Sequence, residues 1–157
     1  MLLPLFQALE NSAIGAAIRD SLWLFPVVEA FHLIGLAIIG GAILVVDFRL
    51  LGLGLCGHPV SRLARDVQPF VIGSLILMVL TGVPLLLSEA IKCYYSFAFW
   101  TKMTALVLAI LFTFTVRRSV SFAPDGRFSA AASRAVGVTS IALWSAVGWG
   151  GRWIGFS

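Results

Sequence analysis

Glu29 and His32 stand three residues apart inside a long apolar stretch, where an ionisable side chain needs a reason. On a helix that spacing puts both on one face. A carboxylate one turn from an imidazole can orient the ring for metal ligation, or the two can pass a proton. Glu89, Lys102 and Arg152 also sit among apolar neighbours. A charge at the bilayer centre costs at least about 2.5–3 kcal/mol on insertion scales, so such groups face a bundle interior and find partners there. The functional reading is one site made by Glu29, His32, Lys102 and Arg152. The structural reading is an ion-pair and hydrogen-bond network that fixes helix register. Glu89, at the rim of a span, reads as a solvated carboxylate. At least one of Lys102 and Arg152 is expected near Glu29 or His32.

The run Gly148-Trp149-Gly150-Gly151-Arg152-Trp153 adds a second feature. Each glycine weakens a helix by about 1 kcal/mol relative to alanine, and each lets a flat ligand or another backbone come close. Trp149 and Trp153 fall one turn apart. The run is either an aromatic belt with a snorkelling arginine or a pocket where Arg152 binds an anionic group such as a carboxylate. The second histidine, in Gly57-His58-Pro59, reads as a solvated loop residue, separated from His32 by at least half a span. Gly52-Leu53-Gly54-Leu55-Cys56-Gly57 has the spacing of a dinucleotide-binding turn, but it follows a membrane helix and not a strand, so it is rejected. No GxSxG, Walker A or HExxH pattern is present, and no catalytic residue is assigned.

The elements that position these groups follow from composition. Of 157 residues, 60% are hydrophobic and only 11% charged, and the mean hydropathy is +1.02. A soluble domain carries about 25% charged residues; this chain would expose aggregating apolar surface in water. The fold class expected is all-α: an integral membrane four-helix bundle in one transmembrane domain, residues 1–157, with a short N-terminal interfacial helix. That helix covers residues 2–19, with Leu2, Phe6, Leu9, Ala13 and Ala17 at helical spacing. Spans are expected at about 22–46, 69–88, 97–116 and 135–156, each near the ~20 residues that cross a ~30 Å core. Ser21 is an expected N-cap and Pro84 an expected kink. Counted from Leu22, His32 is about 15 Å deep, near the midplane.

Two polar linkers, 47–68 and 117–134, hold seven of the eleven basic residues: Arg49, Arg62, Arg65, Arg117, Arg118, Arg127 and Arg134. Pro124-Asp125-Gly126 marks a turn. Both linkers lie at the same end of a four-span bundle, and the positive-inside rule makes that end cytoplasmic. Both termini and the 89–96 loop then face the other side. The net charge of +4 is accounted for by topology, so no nucleic-acid partner is inferred. Cys56 and Cys93 fall on opposite sides and cannot pair within one chain; an impermeant thiol reagent is expected to reach Cys93. No basic stretch precedes the first apolar segment, so no cleaved signal peptide is expected. Small residues recur every four positions at Ala142, Ala146 and Gly150, and at Ala37 and Gly41, as close helix packing in lipid requires.

Phe25-Pro26-Val27-Val28-Glu29-Ala30-Phe31-His32, Asp47-Phe48-Arg49-Leu50-Leu51-Gly52 and Gly151-Arg152-Trp153-Ile154 resemble a bacterial family of small four-helix membrane proteins of unknown function. The resemblance covers almost the whole chain. It implies a multi-pass protein of a bacterial inner membrane, in which the positive-inside rule makes both termini periplasmic. His32 followed by glycines, and Phe99-Trp100-Thr101-Lys102 opening a later span, are also similar to the copper-resistance-D and protoporphyrinogen-oxidase-like membrane superfamily. That likeness implies haem b held through His32 as axial ligand. No second buried histidine exists here, so the sixth position would be filled by Lys102, Met78, Met103 or a partner chain's His32, or left open.

Three functions compete. In a haem- or metal-binding redox subunit, His32 ligates the metal with Glu29 behind it. Arg152 then pairs a propionate, and Trp149 or Trp153 packs the ring. In a small transporter or proton-handling subunit, Glu29, His32, Lys102 and Arg152 form a polar path. In a structural assembly partner the chain has no chemistry of its own. The partners expected are the lipid bilayer and a homo-oligomer or larger membrane complex.

Overall fold

The computed structural model describes residues 2–54, 57–124 and 126–154. Those residues form seven helices and no strand: α1 (Leu3–Glu10), α2 (Ala13–Asp20), α3 (Leu24–Leu51), α4 (Val60–Ser88), α5 (Ala90–Tyr95), α6 (Phe97–Ser121) and α7 (Ala130–Ile154). Four of them, α3, α4, α6 and α7, are long and apolar enough to cross a membrane, at 28, 29, 25 and 25 residues. The chain is therefore a multi-pass membrane protein built as a four-helix bundle. α3 packs along α4 and α7, and α7 along α3 and α6. Ile39 and Ile43 of α3, Met78 of α4, Ala109 of α6 and Val147 of α7 meet in the core.

The four helices run past the apolar stretches, always at the arginine-rich end. The sequence reading stops the spans at Val46 and Val116 and opens them at Pro69 and Ala135; the helices reach Leu51 and Ser121 and begin at Val60 and Ala130. The linkers shrink to 52–59 and 122–129. Charged side chains do not end a helix when each finds water or a partner, and here Asp47 and Arg117 find one another. Gly52 ends α3 at φ +78, a left-handed turn that glycine adopts without penalty. The Leu53 N–H bonds the Phe48 carbonyl at 2.9 Å and the Gly52 N–H that of Arg49 at 3.1 Å. Within the turn Pro124-Asp125-Gly126, Asp125 lies outside the described residues, as do Cys56 and the Phe156 end of the last span.

The first twenty residues form two helices, not the single one expected. Ser12 breaks the run because its hydroxyl accepts the Gly15 N–H at 3.2 Å, a local N-cap that starts α2. α2 then packs on α4 and α1 on α5. A Cβ at Gly15 would lie 2.5 Å from the Leu87 carbonyl oxygen, so only glycine permits this contact. The Ile91 N–H donates to Glu10 Oε2 at 2.6 Å, placing a carboxylate at the α5 N-terminus. Phe6 seats α1 against Tyr94 and Phe99, with ring centroids 5.3 and 6.4 Å away. α5 itself occupies what reads in sequence as the 89–96 loop. Ser21 acts near the start of α3, where its hydroxyl accepts the Leu24 N–H at 3.2 Å. Pro84 lies inside a continuous α4.

Candidate functional site

His32 projects from α3 toward α4 and is half-buried. Its Nδ1 lies 2.9 Å from Thr81 Oγ1. The Thr81 hydroxyl already donates to the Leu77 carbonyl at 2.7 Å. A hydroxyl has one proton, so toward His32 it accepts, and Nδ1 carries the hydrogen. When the ring is neutral, that arrangement leaves the lone pair on Nε2. Gly82 completes the seat: a Cβ there would lie 3.1 Å from His32 Cε1.

Lys102 on α6 is the cation whose field reaches His32. It is half-buried and lies against the glycine run of α7. A Cβ at Gly150 would be 3.0 Å from Lys102 Cβ, and one at Gly151 would be 3.4 Å from Nζ. The glycines thus make room for a lysine side chain. Among the described residues Lys102 has no hydrogen-bond or ion-pair partner. His32 and Lys102 are the two sequence-predicted site residues that the structure brings into one region. Glu29 is exposed on α3, one turn before His32, and has no hydrogen bond or ion pair among the described residues. Arg152 lies on an exposed face of α7. Trp149 and Trp153 are 71% and 56% exposed, and their rings stack against each other at 6.4 Å on the outer surface. Met78 is buried in the core, packed against Gly35, and Met103 is exposed. His58 lies in the linker at the other end, its carbonyl accepting from Arg49 Nε at 2.9 Å. Glu89 pairs loosely with Lys92 at 3.9 Å.

The most complete polar site is one that the sequence reading treats as loop. Asp47 is 0% and Arg117 6% exposed, and Arg117 Nε donates to Asp47 Oδ1 at 2.8 Å. Arg117 Nη2 also donates to the Ile43 carbonyl at 3.1 Å. Ser140 of α7 sits beside Asp47, yet Asp47 Oδ2 and Ser140 Oγ have no partner in hydrogen-bond geometry among the described residues. A π-helical turn at Thr113–Arg117 sets this up. Ala105, Ala109, Thr113, Arg117 and Ser121 are buried at intervals of four. An α-helix over-rotates by about 40° at each such step, and the wider π turn cancels the drift. That spacing was the available signal for Arg117.

Cys93 is buried with Phe6, Ala90 and Phe99, which corrects the expectation of an accessible thiol. Burial first, and then the Glu89 carboxylate, push its thiol up to about 11. An apolar surface groove of about 420 Å³ between α6 and α7 includes Thr101 and Thr104. Both hydroxyls donate to carbonyls of their own helix, so the groove offers a ligand no polar handle. No group of three or more His, Cys, Asp or Glu side chains is arranged to hold a metal ion among the described residues.

The chain belongs to a family of unknown function, DUF6644, whose model matches residues 13–157. No curated protein and no solved structure matches it.

Proposed function

We propose that this member of the DUF6644 family is a haem-binding membrane subunit in redox chemistry, with His32 Nε2 as the axial ligand. The observation that carries the reading is the bond from Nδ1–H to Thr81. A histidine that ligates a metal usually gives its other N–H to a fixed acceptor, which holds the tautomer and the ring orientation. A bare ion asks for several protein ligands, whereas a porphyrin brings four of its own and asks for one anchored histidine. Lys102, a cation with no carboxylate partner among the described residues, suits a propionate. Thr81 and Gly82 fill the ring edge toward α4, which leaves Nε2 for ligation. When bound, the haem supplies one-electron transfer. His32, oriented by Thr81, would hold it, and Lys102 would balance its charge.

The test is the absorption spectrum of detergent-purified protein from haem-replete cells. A Soret band is expected, and His32→Ala should remove it while the chain still inserts. A colourless, metal-free wild-type protein would overturn the reading. The neutral imidazole beside Lys102 would then be a proton-handling group.

The same proposal sets the orientation in a bacterial inner membrane. The arginine-rich end holds seven basic residues against three acidic ones, Asp47, Asp66 and Asp125; the other end holds four of each. The whole net charge therefore resides at one end, which the positive-inside rule makes cytoplasmic. A periplasmic reporter fused at the C-terminus should be active, and one at Arg127 silent.

A further inference from the structure

Between α4 and α6, at the arginine-rich end, lies a cavity of about 30 Å³ whose polar lining is Gln68, Thr113, Arg117, Arg118 and Ser121. Each of these groups has an N–H or O–H to give. Ser121 is 1% exposed, and its hydroxyl has no hydrogen-bond partner among the described residues. The Thr113 oxygen accepts from Trp144 Nε1 at 3.1 Å, which leaves the Thr113 proton for donation. Gln68 brings an amide NH₂. Arg117 commits Nε to Asp47 and Nη2 to Ile43, so Nη1 remains. Arg118, an exposed residue at the cavity mouth, rests over the Phe122 ring, 5.2 Å from its centroid, and adds a charge that Asp47 does not cancel.

No carboxylate lines the cavity; Asp47 is not among its walls and neutralises Arg117 alone. Buried polar groups find partners. Much of the wall is apolar, and a water could use the acceptors at Gln68 Oε1 and the Thr113 and Ser121 hydroxyls, but it would leave the guanidinium charge that Asp47 does not cancel without a counter-ion. One water occupies about 10–15 Å³ of such space, so the cavity admits two or three water-sized species at most. Donors converging on a small, net-positive hollow make an anion site.

We propose that this cavity binds a single halide ion, chloride under cellular conditions, and that the ion ties α4 to the π-helical turn of α6. The site is independent of any cofactor at His32, since it lies at the other end of the bundle.

The test is thermal unfolding of the full chain in detergent, with sodium chloride exchanged for sodium gluconate at constant ionic strength. Chloride should raise Tm with the logarithm of its concentration above half-saturation, by about 5–10 °C at a hundredfold excess. Bromide should replace it and give an anomalous peak between Gln68 and Ser121 in a crystal. Ser121→Ala combined with Gln68→Leu should abolish the chloride dependence while leaving Tm in gluconate nearly unchanged. Equal Tm in chloride and gluconate means water only, and overturns the proposal. So does a chloride response that survives the double substitution, or a sulfate response as large as the chloride one. If the double variant does not fold, the wild-type titration and the bromide peak still decide.

Discussion

At the arginine-rich end Asp47 and Arg117 are sealed from solvent and lipid and meet at 2.8 Å. At the termini end His32 and Lys102 are half-buried and carry no counter-charge among the described residues: His32 leans on a hydroxyl and Lys102 on glycines. Stripping an ion of water costs several kcal/mol, and its partner repays that only in good geometry. The sealed pair has that contact at Oδ1, though not at Oδ2, and it links α3 to α6, so it is explained as architecture. The open pair gains no such return from the fold, and that is why it is read as the place for a ligand. Depth in the membrane does not separate the two; completeness of pairing does.

The largest effect should come from halving the sealed pair. Asp47→Ala or Arg117→Ala leaves an uncompensated buried charge and should cost about 3–5 kcal/mol. Asp47→Leu with Arg117→Met, which removes both charges, should recover much of that loss. His32→Ala and Lys102→Met should each cost about 1 kcal/mol or less. Denaturant unfolding in detergent measures all five. If Lys102→Met costs as much as Arg117→Ala, the contrast between the two ends is gone.

The two ends also differed in how far the sequence revealed them. Four spans were legible because about twenty apolar residues in a row have few other uses. His32 and Lys102 were legible because a polar side chain inside an apolar run stands out. Asp47 and Arg117 were not, because each lies where an apolar run ends and charge is expected. Seeing them requires the four-residue spacing of α6 and the partner 70 positions away. Glu29 shows the opposite error: one turn from His32 on the same helix, it still faces outward, because a three-residue step leaves the two side chains about 60° apart around the axis. The glycines of α7 looked like room for a flat ligand, and the neighbour that uses them is Lys102.

A smaller effect sharpens the reading of the termini end. Thr81→Val keeps the shape but leaves the His32 Nδ1–H without its acceptor, at a cost of about 1–2 kcal/mol. Thr81→Ser should restore most of it. Gly82→Ala places a methyl 3.1 Å from Cε1 and should displace the ring without altering its chemistry. If His32 is a ligand, both Thr81→Val and Gly82→Ala should lower Soret absorbance per chain, with Thr81→Ser near wild type. Full absorbance in both would mean that the Thr81 bond does not orient the histidine.

The smallest effect is silent at neutral pH and asks whether α1 closes the termini end. The folded chain keeps the Cys93 proton until about pH 11, while an exposed thiol releases it near 9.0. Between those values the unfolded chain binds fewer protons than the folded one, so stability falls as pH rises. The loss approaches about 2–3 kcal/mol once pH passes the folded value. Below pH 9 both states are protonated and the group contributes no pH dependence. Cys93→Ala should remove this alkaline component and leave the rest of the profile, which isolates it from the tyrosines and lysines that titrate nearby. Alkylation reports the same burial kinetically. At pH 7 the thiolate fraction should be about a hundredfold below that of a free cysteine, and the rate should climb through pH 9 without levelling. Phe6→Ala opens the cluster that covers the thiol and should speed the reaction at unchanged pH. A wild-type rate equal to that of free cysteine at pH 7 would show that α1 leaves this end open. The termini end would then admit solvent to its thiol as well as to His32 and Lys102, and the contrast with the sealed Asp47–Arg117 pair would widen.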